Sequence, residues 1–385
     1  MRTLMMNSSD STLGALSHEN VSSLSVKLVN KYKEQGRKIV GWYCNYVPEE
    51  IIYAADMLPI RIMTEQHESS FSDGYLHSNM CSFARGCLTR GLKGEYRFLD
   101  GVAMARTCNA SSKLYDNWCF YVKTPFEHQI DVPHKLSEYA FEYYYQEIRR
   151  FKKALEEFLG RKISDEKLQE AIEIYNESRA LLRRLNNYLK EQTPLISGSE
   201  MLQITKSSMV LPKDKHISLM KEFLTKLSNR AKDTSPRVRL LVSGSIIDSP
   251  EFIELVENLG GLVVADDLCT GTRYFWDDIK ADGDPLEAIA RRYIEKPPCA
   301  VTCCDEAKFE HLVSAAQSFH VDGVIFNTLQ FCDTHSFNAT HDAKKLERVG
   351  IPSLQLKVEL PHLGTGQLKT RVQAFIEMIT SKKRQ

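Results

Sequence analysis

The chain has 385 residues, of which 43% are hydrophobic and 26% charged. This composition excludes a disordered or collagen-like protein, and the length favours two or three domains. Fifty basic and fifty acidic residues cancel, so neither nucleic acid nor an anionic membrane is a predicted partner. No run approaches about 18 apolar residues, which predicts that no helix spans a membrane.

Residues 1–27 are polar and rich in Ser and Asn. They lack the basic start and the apolar stretch of a secretory signal. We therefore expect a loose N-terminal arm on a cytoplasmic protein. Structural disulfides are rare in a reducing compartment, so the ten cysteines are predicted to be packed thiols or metal ligands. Because no CxxC pair occurs, a metal site has to be assembled from distant segments.

Residues 28–132 are predicted to form an N-terminal α/β lobe. Short apolar runs indicate four strands, at residues 38–43, 59–62, 99–105 and 120–122. Between the first two, Pro48 followed by two acidic residues marks a helix start. Strands that alternate with helices predict a largely parallel sheet.

Residues 133–231 differ in pattern. Residues 137–160 and 163–190 have the periodicity of long amphipathic helices, and residues 199–209 and 213–230 add two shorter ones. This part is predicted to be a helical insert.

Residues 232–385 are predicted to form a C-terminal α/β lobe, with strands at 238–242, 261–264 and 322–326. The last of these, DGVIF, repeats the DGVAM of residues 100–104, and each run leads into a loop that carries a cysteine. We interpret this as a divergent duplication, with two α/β lobes flanking the helical insert.

Three cysteines, Cys44, Cys108 and Cys332, each lie just after a predicted strand. Ligands of open parallel sheets bind beyond the carboxyl ends of the strands, so these residues meet in one cleft if the two sheets face each other. Cys81 lies near a predicted helix start, a position that favours a thiolate.

Several ordered motifs are spread along the chain. They are GWYCNYVPEEIIYAADMLPIRI at 41–62, the segment around Cys81, the run from Asp100 to Cys108, VVADDLCTGTRYF at 263–275, DGVIFNTLQFCD at 322–333 and GQLKTRVQAFIE at 366–377. Together they resemble the 2-hydroxyacyl-CoA dehydratase and benzoyl-CoA reductase family (the 2-hydroxyglutaryl-CoA dehydratase D-component family). The resemblance covers nearly the whole chain after about Lys27.

The resemblance implies two Rossmann-like lobes with a [4Fe-4S] cluster in the cleft between them. Carried onto this chain, the ligands are Cys81 and Cys108 from the N-terminal lobe and Cys332 from the C-terminal lobe. Some relatives have Pro or Ser where this chain has Cys44. Cys44 is therefore expected to be a fourth ligand, to face a second cluster, or to be only a packed thiol.

The implied activity is one-electron chemistry on an acyl-CoA thioester through a ketyl radical. A separate ATP-dependent iron–sulfur activator delivers the electron, and this chain has no GxxxxGK[ST] loop of its own. A dehydratase, which is a lyase, expels a hydroxyl group and recycles the electron. A reductase, as for benzoyl-CoA, is an oxidoreductase that consumes two electrons. The acyl group and the choice between these reactions stay open.

Two alternatives remain. One is a homodimer that holds a double-cubane cluster and reduces small molecules, which requires six ligating cysteines per chain. The other is a non-catalytic electron-relay or scaffold subunit of a heterodimer with a related subunit.

Weaker candidates complete the predicted site. Arg273 contacts a CoA phosphate or an acidic substrate, or bridges Asp266. Glu50 shuttles a proton, or only complements a helix dipole. His335 donates a proton or a hydrogen bond to the cluster, or is a solvated loop residue.

Four more cysteines rank below the main set. Cys269 is a possible neighbour of a cluster. Cys299, Cys303 and Cys304 in PPCAVTCC either contribute to a metal site or belong to a buried strand, which the apolar AVTCC run favours.

Overall fold

The computed structural model describes residues 27–64, 69–230, 234–280, 282–302, 305–360 and 366–383. The predicted N-terminal arm therefore lies almost entirely outside the described residues. Residues 27–34 are helical and precede the first strand.

The first sheet consists of four parallel strands in the order β2-β1-β3-β4. Every residue of β1 is buried, as expected for a strand with both faces covered. The strands are β1 (Ile39–Tyr43), β2 (Leu58–Arg61), β3 (Gly101–Arg106) and β4 (Phe126–Asp131). After β1, the α-helices of this lobe in the described residues are α1 (Glu49–Ala54), α2 (Ser82–Leu92) and α3 (Asn109–Asn117).

The strand predicted at residues 120–122 is wrong. Those residues lie in a π-helix, Trp118–Val122, which continues α3. Phe120 and Tyr121 are exposed there, so the apolar run does not enter the sheet. The fourth strand is β4, whose polar sequence FEHQID suits the edge of the sheet.

Four helices follow, as predicted for the helical insert. The first three of these helices each begin at a serine N-cap, namely Ser137, Ser164 and Ser197. Each serine hydroxyl accepts a hydrogen bond from a backbone N–H of the first turn. Gly160 ends the first helix in the left-handed conformation. The helices are α4 (Glu138–Leu159), α5 (Asp165–Asn187), α6 (Gly198–Ser207) and α7 (Lys213–Leu227).

The second sheet repeats the topology of the first. Its four parallel strands run in the order β6-β5-β7-β8, so each sheet has its first strand between its second and third. The strands are β5 (Val238–Gly244), β6 (Gly261–Asp267), β7 (Gly323–Leu329) and β8 (Ser353–Val358). The helices are α8 (Glu251–Asn258), α9 (Thr272–Phe275), α10 (Pro285–Glu295), α11 (Asp305–Ser318), α12 (Asp333–Arg348) and α13 (Gly366–Lys383).

This architecture confirms the predicted α/β fold with two parallel-sheet lobes. The lobes touch through β1 and the segment that follows it. Trp42 stacks on Tyr274 with ring centroids 6.2 Å apart, and the Asn45 side-chain amide donates to the Cys269 carbonyl at 2.7 Å. In the described part of the chain, no helix combines the length and the apolar character that crossing a bilayer requires.

Candidate functional site

The three cysteines predicted as cluster ligands all occupy helix N-cap positions. Cys81 precedes α2, Cys108 precedes α3 and Cys332 precedes α12. Cys108 follows β3 and Cys332 follows β7, as predicted. Unpaired backbone N–H groups at a helix start carry a partial positive charge, so all three thiols lie where an anionic ligand is favoured.

The structure brings these three thiols together. Burial, together with the nearby Cys332 and Cys108 thiols, raises the pKa of the Cys81 thiol to about 12. Cys332 in turn interacts with Cys108. All three residues are partly exposed. We call Cys81, Cys108 and Cys332 the first thiol set.

The chemistry of this donor set fits an iron–sulfur cluster. Thiolates are the ligands of such clusters, whereas single hard cations prefer oxygen. Among the residues that the structure describes, no three His, Cys, Asp or Glu side chains come close enough to hold one metal ion. In a cubane cluster each thiolate binds a different iron, so its ligands stand farther apart than those of a single ion.

Cys44 belongs to a different group of thiols. It follows β1 with φ of 78°, a backbone conformation that is costly for a residue with a side chain and that occurs preferentially at functional sites. Burial raises the pKa of its thiol, and the strongest neighbouring charge is that of Cys269. Its sulfur lies 3.7 Å from the Thr107 hydroxyl.

Cys269 and Cys299 complete this group, and Cys44, Cys269 and Cys299 form the second thiol set. The hydrogen bond with Cys299 and the charge of Arg273 lower the pKa of Cys269, while the same hydrogen bond raises that of Cys299. The Arg273 guanidinium lies 3.8 Å from the Cys269 sulfur and 4.0 Å from that of Cys299.

Sequence reasoning did not recognise this set. Cys269 follows β6 by two residues, so the rule that singled out Cys44, Cys108 and Cys332 applied to it as well. The strand predicted for AVTCC is wrong in its described part, because residues 300–302 form a turn and bend. Cys303 and Cys304 lie outside the described residues.

One alternative predicted that Arg273 bridges Asp266, and this prediction is wrong. Its guanidinium is buried and pairs with Asp267, with contacts of 2.5 and 2.9 Å. Asp266 instead accepts hydrogen bonds from the backbone N–H groups of Leu268 and Thr272. Arg273 therefore faces the second thiol set, and its contact with a substrate stays a prediction.

Two further cations lie beside the second thiol set. The Lys296 ammonium donates to the carbonyl of Asn45 and sits 4.2 Å from the centre of the Tyr46 ring. Burial lowers the pKa of Lys296 to about 7. The Arg61 guanidinium donates to the Asn45 side-chain oxygen and lies 4.6 Å from the centre of the Trp42 ring.

Glu50 lies in a buried ion pair that joins the N-terminal lobe to the helical insert. It binds Arg179 of α5 and accepts a hydrogen bond from Tyr293 of α10 at 2.8 Å. Burial favours a raised pKa for Glu50, but the charges of Arg179 and Arg292 outweigh it and the pKa is lowered. Glu50 therefore stays ionised, and its part in proton transfer stays a prediction.

Glu49 points to a separate cation. It lies 3.8 Å from Lys213 of α7. Burial raises the pKa of Glu49, and burial also lowers the pKa of Lys213 to about 8. The two neighbouring carboxylates thus tie α1 to two helices of the insert.

His335 is not a solvated loop residue. It is buried in the first turn of α12, and burial lowers its pKa well below the usual range. It is therefore neutral at pH 7, one helical turn from Cys332. As a neutral imidazole it retains one N–H that can donate a hydrogen bond.

Gly271 holds the loop that carries Cys269 close to Asp266. A Cβ atom at this position would lie 2.0 Å from an Asp266 carboxylate oxygen. We expect Gly271→Ala to expel that carboxylate from its backbone N–H partners and to cost about 1–3 kcal/mol. Urea unfolding measures this loss. Gly74→Ala is the matched control, because nothing lies within 4 Å of its Cβ position. Equal stability of the two variants would contradict the prediction.

The molecule is thus a two-lobed α/β protein with two sets of thiols at the lobe boundary. A family model for 2-hydroxyglutaryl-CoA dehydratase, D-component, matches residues 44–379, and the chain belongs to this family. This confirms the resemblance found in the sequence motifs.

Individual relatives are more distant. The chain is 24% identical to the (R)-phenyllactyl-CoA dehydratase beta subunit of Clostridium sporogenes, over 92% of this chain and 95% of the relative. It is 25% identical to one of the benzoyl-CoA reductase subunits of Thauera aromatica, over 85% and 87%. It is also 25% identical to the beta subunit of (R)-2-hydroxyglutaryl-CoA dehydratase of Acidaminococcus fermentans, over 94% and 97%. These relatives are subunits of enzymes that act on CoA thioesters, and they support assignment of this chain as a subunit of such an enzyme complex.

Proposed function

We propose that the chain is the iron–sulfur subunit of an ATP-activated enzyme that acts on CoA thioesters, by dehydration of a 2-hydroxyacyl group or by reduction. The observation that carries this proposal is the first thiol set. Its cysteines come from both lobes, at three helix N-termini, and interact with one another. Family membership supports the same conclusion.

Cys81, Cys108 and Cys332 would hold a [4Fe-4S] cluster. When bound, such a cluster supplies single low-potential electrons to a thioester carbonyl. The chain itself provides the thiolate ligands and the positive helix ends that balance their charge. Ser111 fixes one of these ends, since its hydroxyl accepts from the Cys108 backbone N–H at 3.0 Å. The surrounding apolar side chains limit the access of water.

The partners follow from the same proposal. Each of the relatives is one of several subunits of its enzyme, and two of them are beta subunits. We therefore expect this chain to pair with a related second subunit that shares the acyl-CoA. A separate iron–sulfur protein uses ATP to deliver the electrons.

A second candidate function is favoured by the second thiol set. Together the two sets supply six thiols at the lobe boundary, the number that a double-cubane cluster needs. In this form the chain is a homodimeric reductase of small molecules.

Anaerobic purification with iron and sulfide counts and EPR tests both candidates. The first predicts about four iron atoms per chain and the second about eight. The first also predicts turnover of a 2-hydroxyacyl-CoA or an aromatic acyl-CoA only when the activator and ATP are added. A chain that binds no iron after anaerobic reconstitution would refute both. A loaded chain that never turns over, alone or with its partner, would instead identify a relay or scaffold subunit.

A further inference from the structure

The second thiol set lies in a markedly cationic environment. Arg61, Arg273 and Lys296 are all close enough for their charges to act on the Cys269 thiol. Each of the three side chains is almost fully buried. Three buried cations therefore reach one group of partly exposed thiols, from β2, from α9 and from the end of α10.

Arg273 differs from the other two cations because it has a carboxylate partner. Arg273 is paired with Asp267. In the described ranges, neither Arg61 nor Lys296 forms an ion pair with a carboxylate, and the Arg61 Nε has no hydrogen-bond acceptor. Their polar contacts go to the uncharged Asn45. The charge of Arg292 opposes the protonated form of Lys296, and the neighbouring thiols Cys44, Cys269 and Cys299 favour it.

Two buried cations elsewhere in the chain do have carboxylate partners. Lys308 is paired with Asp342, and Arg179 with Glu50. A buried cation without a carboxylate partner is costly. Two of them beside one group of thiols therefore indicate that these thiols bear negative charge, as they do when they hold a metal group.

We propose that Arg61 and Lys296 are positioning residues that balance the negative charge of an iron–sulfur group held by the second thiol set. The proposal rests on the six-thiol form of the proposed function. A nearby positive charge stabilises the reduced, more negative state of such a group, and the negative group in turn favours the protonated form of Lys296. Both residues therefore raise the group's reduction potential.

Lys296→Met tests the proposal, because methionine keeps the length of the side chain and removes the charge. In the iron-loaded protein we expect unchanged iron content and a midpoint potential shifted to more negative values, measured by EPR-monitored redox titration. Lys296→Arg keeps the charge and should retain the wild-type potential.

The metal-free protein gives an independent readout. Lys296→Met should unfold at a higher temperature than the metal-free wild type, since an unpaired buried charge is gone. Lys308→Met is the matched control and should unfold at a lower temperature, because it leaves Asp342 buried without its partner.

The outcomes separate this inference from the function on which it rests. A wild-type potential in loaded Lys296→Met overturns the inference and leaves the cluster in place. So does a metal-free Lys296→Met that is destabilised as much as Lys308→Met. A wild type with about four irons, all lost when the first thiol set is replaced, also overturns it while supporting the single [4Fe-4S] cluster. A wild type that binds no iron refutes both proposals.

Discussion

Cys108→Ala is expected to abolish iron binding while leaving a folded, soluble chain. Cys108 is one of three thiols in the first set, and a cluster held by the two that remain is lost during purification. Cys332→Ala should behave in the same way, although it lies in the other lobe. Both cysteines are partly exposed N-cap residues, so neither substitution empties the core. Iron counts and EPR of anaerobically purified protein provide the measurement.

Cys119→Ala is the control for this loss. Cys119 is also a partly exposed thiol of the N-terminal lobe, but it lies on the π-helix and contacts Tyr115 and Glu127 rather than the first set. We expect it to retain its iron. Full iron content in Cys108→Ala would refute the ligand assignment. Insolubility of both cysteine variants would instead identify Cys108 and Cys332 as packing residues.

Glu50→Gln is expected to cost about 3–5 kcal/mol of unfolding free energy, since it leaves Arg179 buried without its counter-charge. The pair joins α1 of the N-terminal lobe to α5 of the insert, and Tyr293 brings in the C-terminal lobe. Urea unfolding of the metal-free chain measures the loss. The double variant Glu50→Gln with Arg179→Met removes both charges and should recover much of it. A double variant no more stable than the single one would contradict this.

The same pair gives a pH dependence of defined sign. The pKa of Glu50 is lower in the folded chain than its ordinary value. Its contribution to stability is therefore complete above the unfolded value of about 4.3, and it declines as the pH falls through the lower folded value. In Glu50→Gln, the free energy of unfolding should fall less steeply as the pH is lowered below about 4.3 than it does in the wild type. Urea unfolding at a series of pH values measures the difference.

The sequence was sufficient to predict features that depend on local patterns. Apolar runs and turn residues located the six strands β1, β2, β3, β5, β6 and β7, and the matching DGV runs identified Cys108 and Cys332 as equivalent. β4 and β8 were missed because an edge strand is not required to be apolar. Phe120 and Tyr121 caused the opposite error, a strand predicted where none exists. They belong to an apolar run, but they are exposed on a helix.

The other parts that were missed depend on tertiary geometry. Asp266 and Asp267 are adjacent in sequence, but successive side chains of a strand point to opposite faces. Asp267 consequently meets Arg273 and the Ser243 hydroxyl, while Asp266 meets the backbone of the following loop. The second thiol set was missed for a related reason, because it joins the end of β1 to two loops of the other lobe.

The order of the first thiol set along the chain governs when the site becomes complete during synthesis. Cys81 and Cys108 emerge from the ribosome early, whereas Cys332 emerges only after the helical insert and most of the C-terminal lobe. A nascent N-terminal lobe therefore offers two thiols at helix ends and no third. If this set holds the proposed cluster, the cluster can be loaded only after both lobes have folded and docked. Factors that deliver iron and sulfide would then act on a finished chain, and iron content would report on completed folding.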